Sequence, residues 1–107
     1  MDIIRGTTPT IIVTVQTKEV DLSEVMSIWA YISQQNKVKI DKELCDVTID
    51  TEHKTITLTL SQEDTLALRA GYDTIFQIRL LLEDGTALAT PGAKVVVKEV
   101  YKGGVIQ

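Results

Sequence analysis

Apolar and polar residues alternate along most of the chain with a period of two, the pattern of strands that bury one face. The stretch KTITLTL sets Ile56, Leu58 and Leu60 against threonines, and IFQIRLLLE sets Phe76 against Gln77 in the same way. Val, Ile and Thr recur in these segments, and their branched side chains pack well on a pleated surface. The alternation predicts seven strands, at 10–16, 25–34, 37–40, 46–50, 54–60, 75–83 and 94–101.

Short polar segments separate the predicted strands. The segments QQNK (34–37) and TEHK (51–54) are typical of turns. The pair Asp84-Gly85 predicts a type I′ hairpin turn, which requires positive φ at both central residues. Pro91 and Gly92 interrupt the strand that returns from this hairpin. Because proline donates no hydrogen bond to a sheet, that point should be an edge, a bulge or a strand start.

One stretch, LSQEDTLALRAG, follows a helical pattern instead. Ser61 and Asp64 have the spacing of a capping box, which marks the start of a helix. Gly71 stands where a C′ glycine is expected, which marks its end. Leu66 should contact the core. The stretch therefore predicts a helix at about 62–69 that carries the chain from one sheet to the other.

Seven short strands with turns about every ten residues are typical of a sandwich of two antiparallel sheets. A small closed barrel is the alternative that the pattern leaves open. The chain has 107 residues, the usual size of one domain, and no repeat, low-complexity tract or linker divides it. We therefore predict a single all-β sandwich domain over residues 1–107.

Charge and hydropathy exclude two classes of partner. The formal net charge is −4 with no dense Lys/Arg cluster, so the chain would on average repel a phosphate backbone, and nucleic-acid binding is not expected. No apolar run reaches about 18 residues, and the start MDIIRGTTPT lacks the basic and apolar regions of a signal peptide. We expect no membrane segment, and synthesis and assembly in the cytoplasm.

Residues that could carry chemistry are few. His53 is the only histidine and lies in the turn TEHK without a nucleophile motif, so we interpret it as an exposed loop residue. Cys45 cannot form an internal disulfide and is interpreted as a small apolar filler near a strand. The segment RGTTPT lacks G-K-[ST] and is interpreted as an N-terminal turn. Five carboxylates lack the spacing of a calcium loop or a fixed acid pair: Asp41, Glu43, Asp46, Asp50 and Glu52.

These observations give no catalytic, cofactor or metal residues, and we expect a protein that is not an enzyme. Lys94, Lys98 and Lys102 fall on one face of the last strand. Lysines on an edge strand protect it from unwanted pairing with another strand. We interpret these three lysines in that way, and contact with an acidic partner is the alternative.

The strand at 25–34 is apolar on both faces. If Met26, Ile28, Ala30 and Ile32 face the core, Trp29 and Tyr31 point outward together. Ile12, Ile75 and Leu81 also lie on the second face of their strands. Such a face is covered by a loop, offers a contact patch, or reflects a register shifted by one residue. As Trp and Tyr are favoured at protein interfaces, we predict a partner interface formed by Trp29, Tyr31, Ile75 and Leu81.

From end to end, the chain resembles the N-terminal immunoglobulin-like domain of phage baseplate upper proteins and stand-alone relatives encoded among tail genes. The stretches that carry the resemblance are RGTTPTIIVTV, VDLSEVMSIWAYIS, TITLTLSQEDTLALRAG and IFQIRLLLEDGTALATPGAKVVVKEV. Baseplate proteins of this kind continue past the domain into a long chain, whereas this sequence ends at Gln107. The family pattern has no catalytic or ligand motif, so no functional residue is carried over.

The resemblance implies an immunoglobulin-like fold and a non-enzymatic structural or assembly protein of a phage or prophage, associated with the tail or baseplate. Its partners would be other phage structural proteins or further copies of the same chain. The alternative is a carbohydrate-binding or adhesion module, in which exposed aromatics such as Trp29 and Tyr31 stack on sugar rings.

Overall fold

A computed structural model of the chain describes residues 1–15, 20–100 and 103–106. The predicted ends of the first and last strands, at 16 and 101, lie outside these residues. The described part contains one α-helix, α1 (Gln62–Leu66), and single 3-10 turns at Leu22–Glu24 and Leu44–Asp46. Its nine strands are β1 (Asp2–Ile4), β2 (Thr10–Thr14), β3 (Val25–Gln34), β4 (Lys37–Glu43), β5 (Val47–Asp50), β6 (Thr55–Thr59), β7 (Thr74–Leu82), β8 (Ala87–Ala89) and β9 (Ala93–Lys98).

The strands form two sheets, which confirms the predicted all-β sandwich. The larger sheet has the order β1-β9-β7-β3-β4, with β8 also paired to β7, and the smaller sheet has the order β2-β6-β5. This order matches the immunoglobulin arrangement, in which strands B, E and D form one sheet and G, F, C and C′ the other. Two features differ from prediction: β1 and β8 are additional short strands, and β1 pairs with β9 in parallel.

The core lies between the sheets and consists mainly of inward positions that the alternation predicts, although Ile3, Val20, Leu22 and Leu68 lie outside the predicted strands. Burying one such Ile or Leu side chain stabilises the fold by about 1.5–3 kcal/mol. The smaller sheet and the α1 region contribute Ile11, Ile56, Leu58, Leu60 and Leu68 to the core. The larger sheet contributes Ile3, Ile28, Ala30, Ile32, Ile40, Phe76, Ile78, Leu80, Val95 and Val97.

Met26 is not part of the core, and its predicted position is wrong. The register between β3 and β7 shifts between Val25 and Ser27, so Met26 is the extra residue of a β-bulge and is 57% exposed. Val25 packs against the core in its place. A bulge reverses the alternation locally because it adds one residue to one strand only.

The predicted type I′ turn at Asp84-Gly85 is also wrong. Only Gly85 has positive φ (90°), and its N–H donates to the carbonyl of Leu82, as in a three-residue hairpin loop. The pair with positive φ at both positions is Gln35 (51°) and Asn36 (64°), which joins β3 to β4. The predicted interruption at Pro91 and Gly92 is confirmed, since these residues separate β8 from β9.

Helix α1 connects β6 of the smaller sheet to β7 of the larger sheet, as predicted. Its capping box is present: the Asp64 N–H donates to Ser61 Oγ (3.0 Å), and the Ser61 N–H donates to Asp64 Oδ2 (2.8 Å). The helix ends at Leu66 instead of near residue 69, and Gly71 (φ 83°) forms a separate turn beyond it.

The contact of this region with the core is made by residues other than Leu66. Thr65 and Leu68 are fully buried, whereas Leu66 is half-buried, so the expected role of Leu66 is wrong. Thr65 Oγ1 accepts from the Gly6 N–H (2.9 Å) and donates to the Thr7 carbonyl (2.9 Å). The predicted N-terminal turn is therefore fixed directly on α1.

Two other predictions are corrected by the structure. Strand β1 pairs with β9 only from Val96 to Lys98, so Lys98 does not protect the outer edge of β9, whereas Lys94 precedes the segment that β1 covers. Lys102 lies outside the described residues. Cys45 is exposed in the 3-10 turn Leu44–Asp46 and fills no apolar space.

Among the described residues, no helix is long and apolar enough to cross a membrane.

Candidate partner interface

The outward surface of the larger sheet, called here the outer face, carries all four residues predicted to form an interface. Directly opposite residues of paired strands share a face of the sheet, so the register between β3 and β7 defines its centre. The outward cross-strand pairs are Ser27–Leu81, Trp29–Arg79, Tyr31–Gln77 and Ser33–Ile75.

Trp29 is the largest exposed apolar side chain of the outer face, with 50% of its surface accessible. The guanidinium carbon of Arg79 lies 5.3 Å from the centroid of the Trp29 ring, within the range of a cation–π interaction. Arg79 therefore covers part of the indole and restricts its orientation. On the other side, Trp29 is paired with Glu43 of β4.

Tyr31 is held in a hydrogen-bonded network and is less available than predicted. Its hydroxyl donates to Gln77 Oε1, and Gln77 Nε2 donates to the carbonyl of Thr90 (2.8 Å). The side chain is half-buried. Tyr31 therefore supports the middle of the outer face, next to Trp29, and presents less free surface than its neighbour.

The two aliphatic residues lie near opposite ends of β7. Ile75 is 43% exposed, and Leu81 is half-buried. A cavity of about 160 Å³ lies between Trp29, Leu81 and Ala87, and another of about 390 Å³ lies beside Ile75. The outer face is therefore contoured, with a concavity at each end that an apolar side chain could enter.

Three further exposed apolar residues extend the outer face, and they were not predicted. Val96 lies opposite Asp2 on the outward side of β9, and Ile4 lies opposite Lys98. Val38 lies opposite Ser33 on β4. The sequence signal for two of them is an unbroken apolar run, VVV at 95–97 and II at 3–4, because such runs place apolar residues on both faces.

The charges of the outer face are separated. Asp41 and Glu43 lie on the β4 side, opposite Tyr31 and Trp29. Lys94 lies on the β9 side, opposite Ile75. The other outward lysine, Lys98, is paired with Asp2 (3.2 Å) and is locally neutralised. The β4 side of the outer face therefore carries two carboxylates, and the β9 side carries Lys94.

The opposite surface of the sandwich has a different character. The outward residues of the smaller sheet are mostly threonines, at positions 10, 14, 48, 55, 57 and 59, with one exposed apolar side chain, Ile12. Ile12 is 64% exposed but isolated among hydroxyl groups. Isolated exposed apolar residues are normal, so the clustered apolar residues of the outer face are the more informative feature.

Residues with catalytic potential do not converge on the outer face. His53 is exposed, as predicted, and its Nδ1 lies 2.8 Å from Asp50 Oδ2. The hydrogen bond from the His53 side chain lowers the pKa of the Asp50 carboxyl. In the described ranges, no group of three His, Cys, Asp or Glu residues could hold a metal ion.

No protein-family model matches the sequence, and no curated protein matches it.

Proposed function

We propose that this chain is a non-enzymatic structural or assembly protein of a phage or prophage, associated with the tail or baseplate, that acts through protein–protein contacts. The observation that carries the proposal is the outer face: exposed Trp29, Ile75, Val96 and Ile4 share one side of a sandwich. The resemblance to baseplate domains supports the phage context, and the immunoglobulin-like strand order agrees with it.

Trp29 is the residue on which binding would depend most. Tryptophan contributes strongly to interfaces when its ring is enclosed by a partner, and less than a third of interface residues typically carry most of the energy. Arg79 and the Tyr31–Gln77–Thr90 network restrict the centre of the outer face before binding. A preorganised surface loses less conformational entropy on association, so it binds more tightly.

The partner favoured by the charges is a second copy of this chain. A two-fold axis parallel to the strands and lying between two stacked outer faces would place the β9 margin of each copy opposite the β4 margin of the other. Lys94 is level with Val38 in the strand register, so the nearest carboxylate of the second copy would be Asp41, at the next outward position of β4. Such a contact is self-complementary, as a two-fold interface requires.

The alternative, a carbohydrate-binding or adhesion module, has weaker support from the same geometry. Stacking of a sugar requires an open aromatic ring face, and Arg79 lies over one face of Trp29. The hydroxyl of Tyr31 is engaged by Gln77. A sugar that stacked on this face of Trp29 would therefore have to displace Arg79.

The phage context is tested by the composition of purified particles. Particles induced from the host of this sequence should contain the chain, detected by mass spectrometry at a fixed ratio to the other tail proteins. An assembly factor would instead be found in tail intermediates but not in finished particles. Absence from both particles and intermediates would contradict the proposal.

A further inference from the structure

A second surface feature lies away from the outer-face residues and concentrates positive charge. A cavity of about 240 Å³ lies where the β3–β4 hairpin meets the segment between α1 and β7. It is lined by Gln34, Gln35, Lys37, Lys39, Arg69 and Tyr72. Three of these six side chains are cationic and none is acidic, in a chain with a net charge of −4.

Two of the cations are placed by irregularities of β4. Lys37 directly follows the turn Gln35–Asn36, in which both residues have positive φ. Lys39 is the extra residue of a β-bulge, because Val38 pairs with Ser33 while Ile40 pairs with Ile32. Bulges change the direction of a side chain, and here the bulged residue lines the same cavity as Lys37.

Arg69 is fixed by a buried amide. Gln34 Oε1 accepts from the Arg69 N–H (3.0 Å), and Gln34 Nε2 donates to the Arg69 carbonyl (2.7 Å). Gln34 Nε2 also donates to Thr74 Oγ1 (2.9 Å). The Gln34 side chain is 3% exposed, so this clamp holds the backbone of Arg69 beside the start of β4.

These positive charges are not neutralised by the described part of the chain. Its ion pairs involve other cations, and Lys37, Lys39 and Arg69 have no carboxylate within 4.0 Å. The nearby Asp73 lines the adjacent cavities and not this one. Like charges converging without a counter-charge repel one another, and a bound anion would relieve that repulsion.

We propose that this cavity binds a small oxyanion of the phosphate or sulfate class, free or as the terminal group of a small molecule. Arg69 can donate two parallel hydrogen bonds to two oxygens of such a group, while Lys37 and Lys39 supply charge. The Tyr72 hydroxyl is a further donor. A phosphate group carries about −1.5 to −2 at neutral pH, which suits three cations better than a single carboxylate does.

Amide NMR titrations of the whole chain with inorganic phosphate, sulfate and glycerol 3-phosphate test the proposal, with chloride at matched ionic strength as reference. Phosphate and sulfate should give saturable shifts centred on residues 35–39 and 69–72, with Kd on the order of 1 mM. A lower Kd for glycerol 3-phosphate than for inorganic phosphate would identify the terminal group of a larger molecule as the ligand. Equal Kd values for the two would identify the free ion.

Substitutions locate the site. Arg69→Gln and Lys39→Gln should each weaken binding by about tenfold, whereas Lys98→Gln, which removes the same charge at a distance, should leave affinity unchanged. Retained dispersion of the amide spectrum confirms folding of each variant. Shifts that do not saturate, that chloride reproduces, or that Lys98→Gln reduces as much as Arg69→Gln would overturn the proposal.

Discussion

Single residues decide where the alternating pattern holds and where it fails. The pattern correctly predicts that Ile28, Ala30 and Ile32 are buried, because each side chain of a regular strand points opposite to the one before it. It fails at Met26, where a bulge adds one residue. A second bulge, at Lys39, also adds one residue to its strand. It places Lys39 in the same cavity lining as Arg69, which the alternating pattern does not predict.

Buried polar side chains are the second kind of residue that the pattern did not identify. Gln34 ends β3 in a buried position and bonds both backbone groups of Arg69. In the sequence it is one of two adjacent glutamines in a polar turn, and nothing in the pattern distinguishes it from Gln35. Its role depends on the approach of a segment 35 residues away.

Replacement of this amide should be costly. Gln34→Leu leaves the Arg69 N–H and carbonyl without their side-chain partner, at about 1–3 kcal/mol for each group that stays unsatisfied. Urea unfolding should show this loss, whereas Ser33→Ala, at the adjacent outward position, should change the free energy of unfolding by less than about 0.5 kcal/mol. Equal stability of Gln34→Leu and the unsubstituted protein would refute the role of the clamp.

At the scale of elements, a strong local sequence signal was sufficient to predict a helix, whereas the shortest strands have no such signal. The capping box of Ser61 and Asp64 predicts α1 because its hydrogen bonds are local. β1 and β8 have three residues each and become strands only through pairing with β9 and β7. The exact end of α1 was missed because buried Thr65 and Leu68, and not Leu66, set how the segment packs.

The start of α1 is also joined to the larger sheet by charge. Asp64 Oδ2 lies 2.9 Å from Lys42 Nζ of β4. Burial raises the pKa of Asp64, but hydrogen bonds from Ser61 and Lys42 outweigh it, and the pKa is lowered from the usual 3.8. The ionised carboxylate is therefore favoured by the fold.

A group whose pKa is lowered by folding stabilises the protein above its unfolded pKa, and that contribution is lost as pH falls through the folded pKa. The free energy of unfolding should therefore decrease more steeply in the unsubstituted protein than in Asp64→Asn between about pH 5 and about pH 2. Chemical unfolding at several pH values measures this. Glu63→Gln, which removes an exposed acid from the same turn, should follow the unsubstituted protein, and identical curves for Asp64→Asn would disprove the coupling.

At the scale of the molecule, the sandwich could be predicted because strand number, strand length and turn spacing together constrain an all-β fold. The parallel pairing of β1 with β9 could not be predicted, since it joins residues more than 90 positions apart and leaves no local pattern in the sequence. That pairing covers the outer side of β9 from Val96 to Lys98. It also adds Ile4 and Val96 to the outer face.

The outer face therefore combines a contact surface predicted from Trp29, Tyr31, Ile75 and Leu81 with neighbours that only the topology supplies. Of the four, Trp29 and Ile75 are well exposed, whereas Tyr31 and Leu81 are half-buried. Their role in binding stays a prediction. If the proposed two-fold contact forms, substitution of Trp29 should weaken it more than substitution of any exposed residue on the smaller sheet.

Sedimentation equilibrium of the unsubstituted chain, Trp29→Ser and Ile12→Ser tests this central claim most directly. The unsubstituted chain and Ile12→Ser should form two-chain species with the same Kd. Trp29→Ser should remain folded by circular dichroism and bind at least about tenfold more weakly, a loss of about 1.4 kcal/mol. A single-chain species at every concentration, or equal association of Trp29→Ser and Ile12→Ser, would contradict the assignment of the outer face as the contact surface.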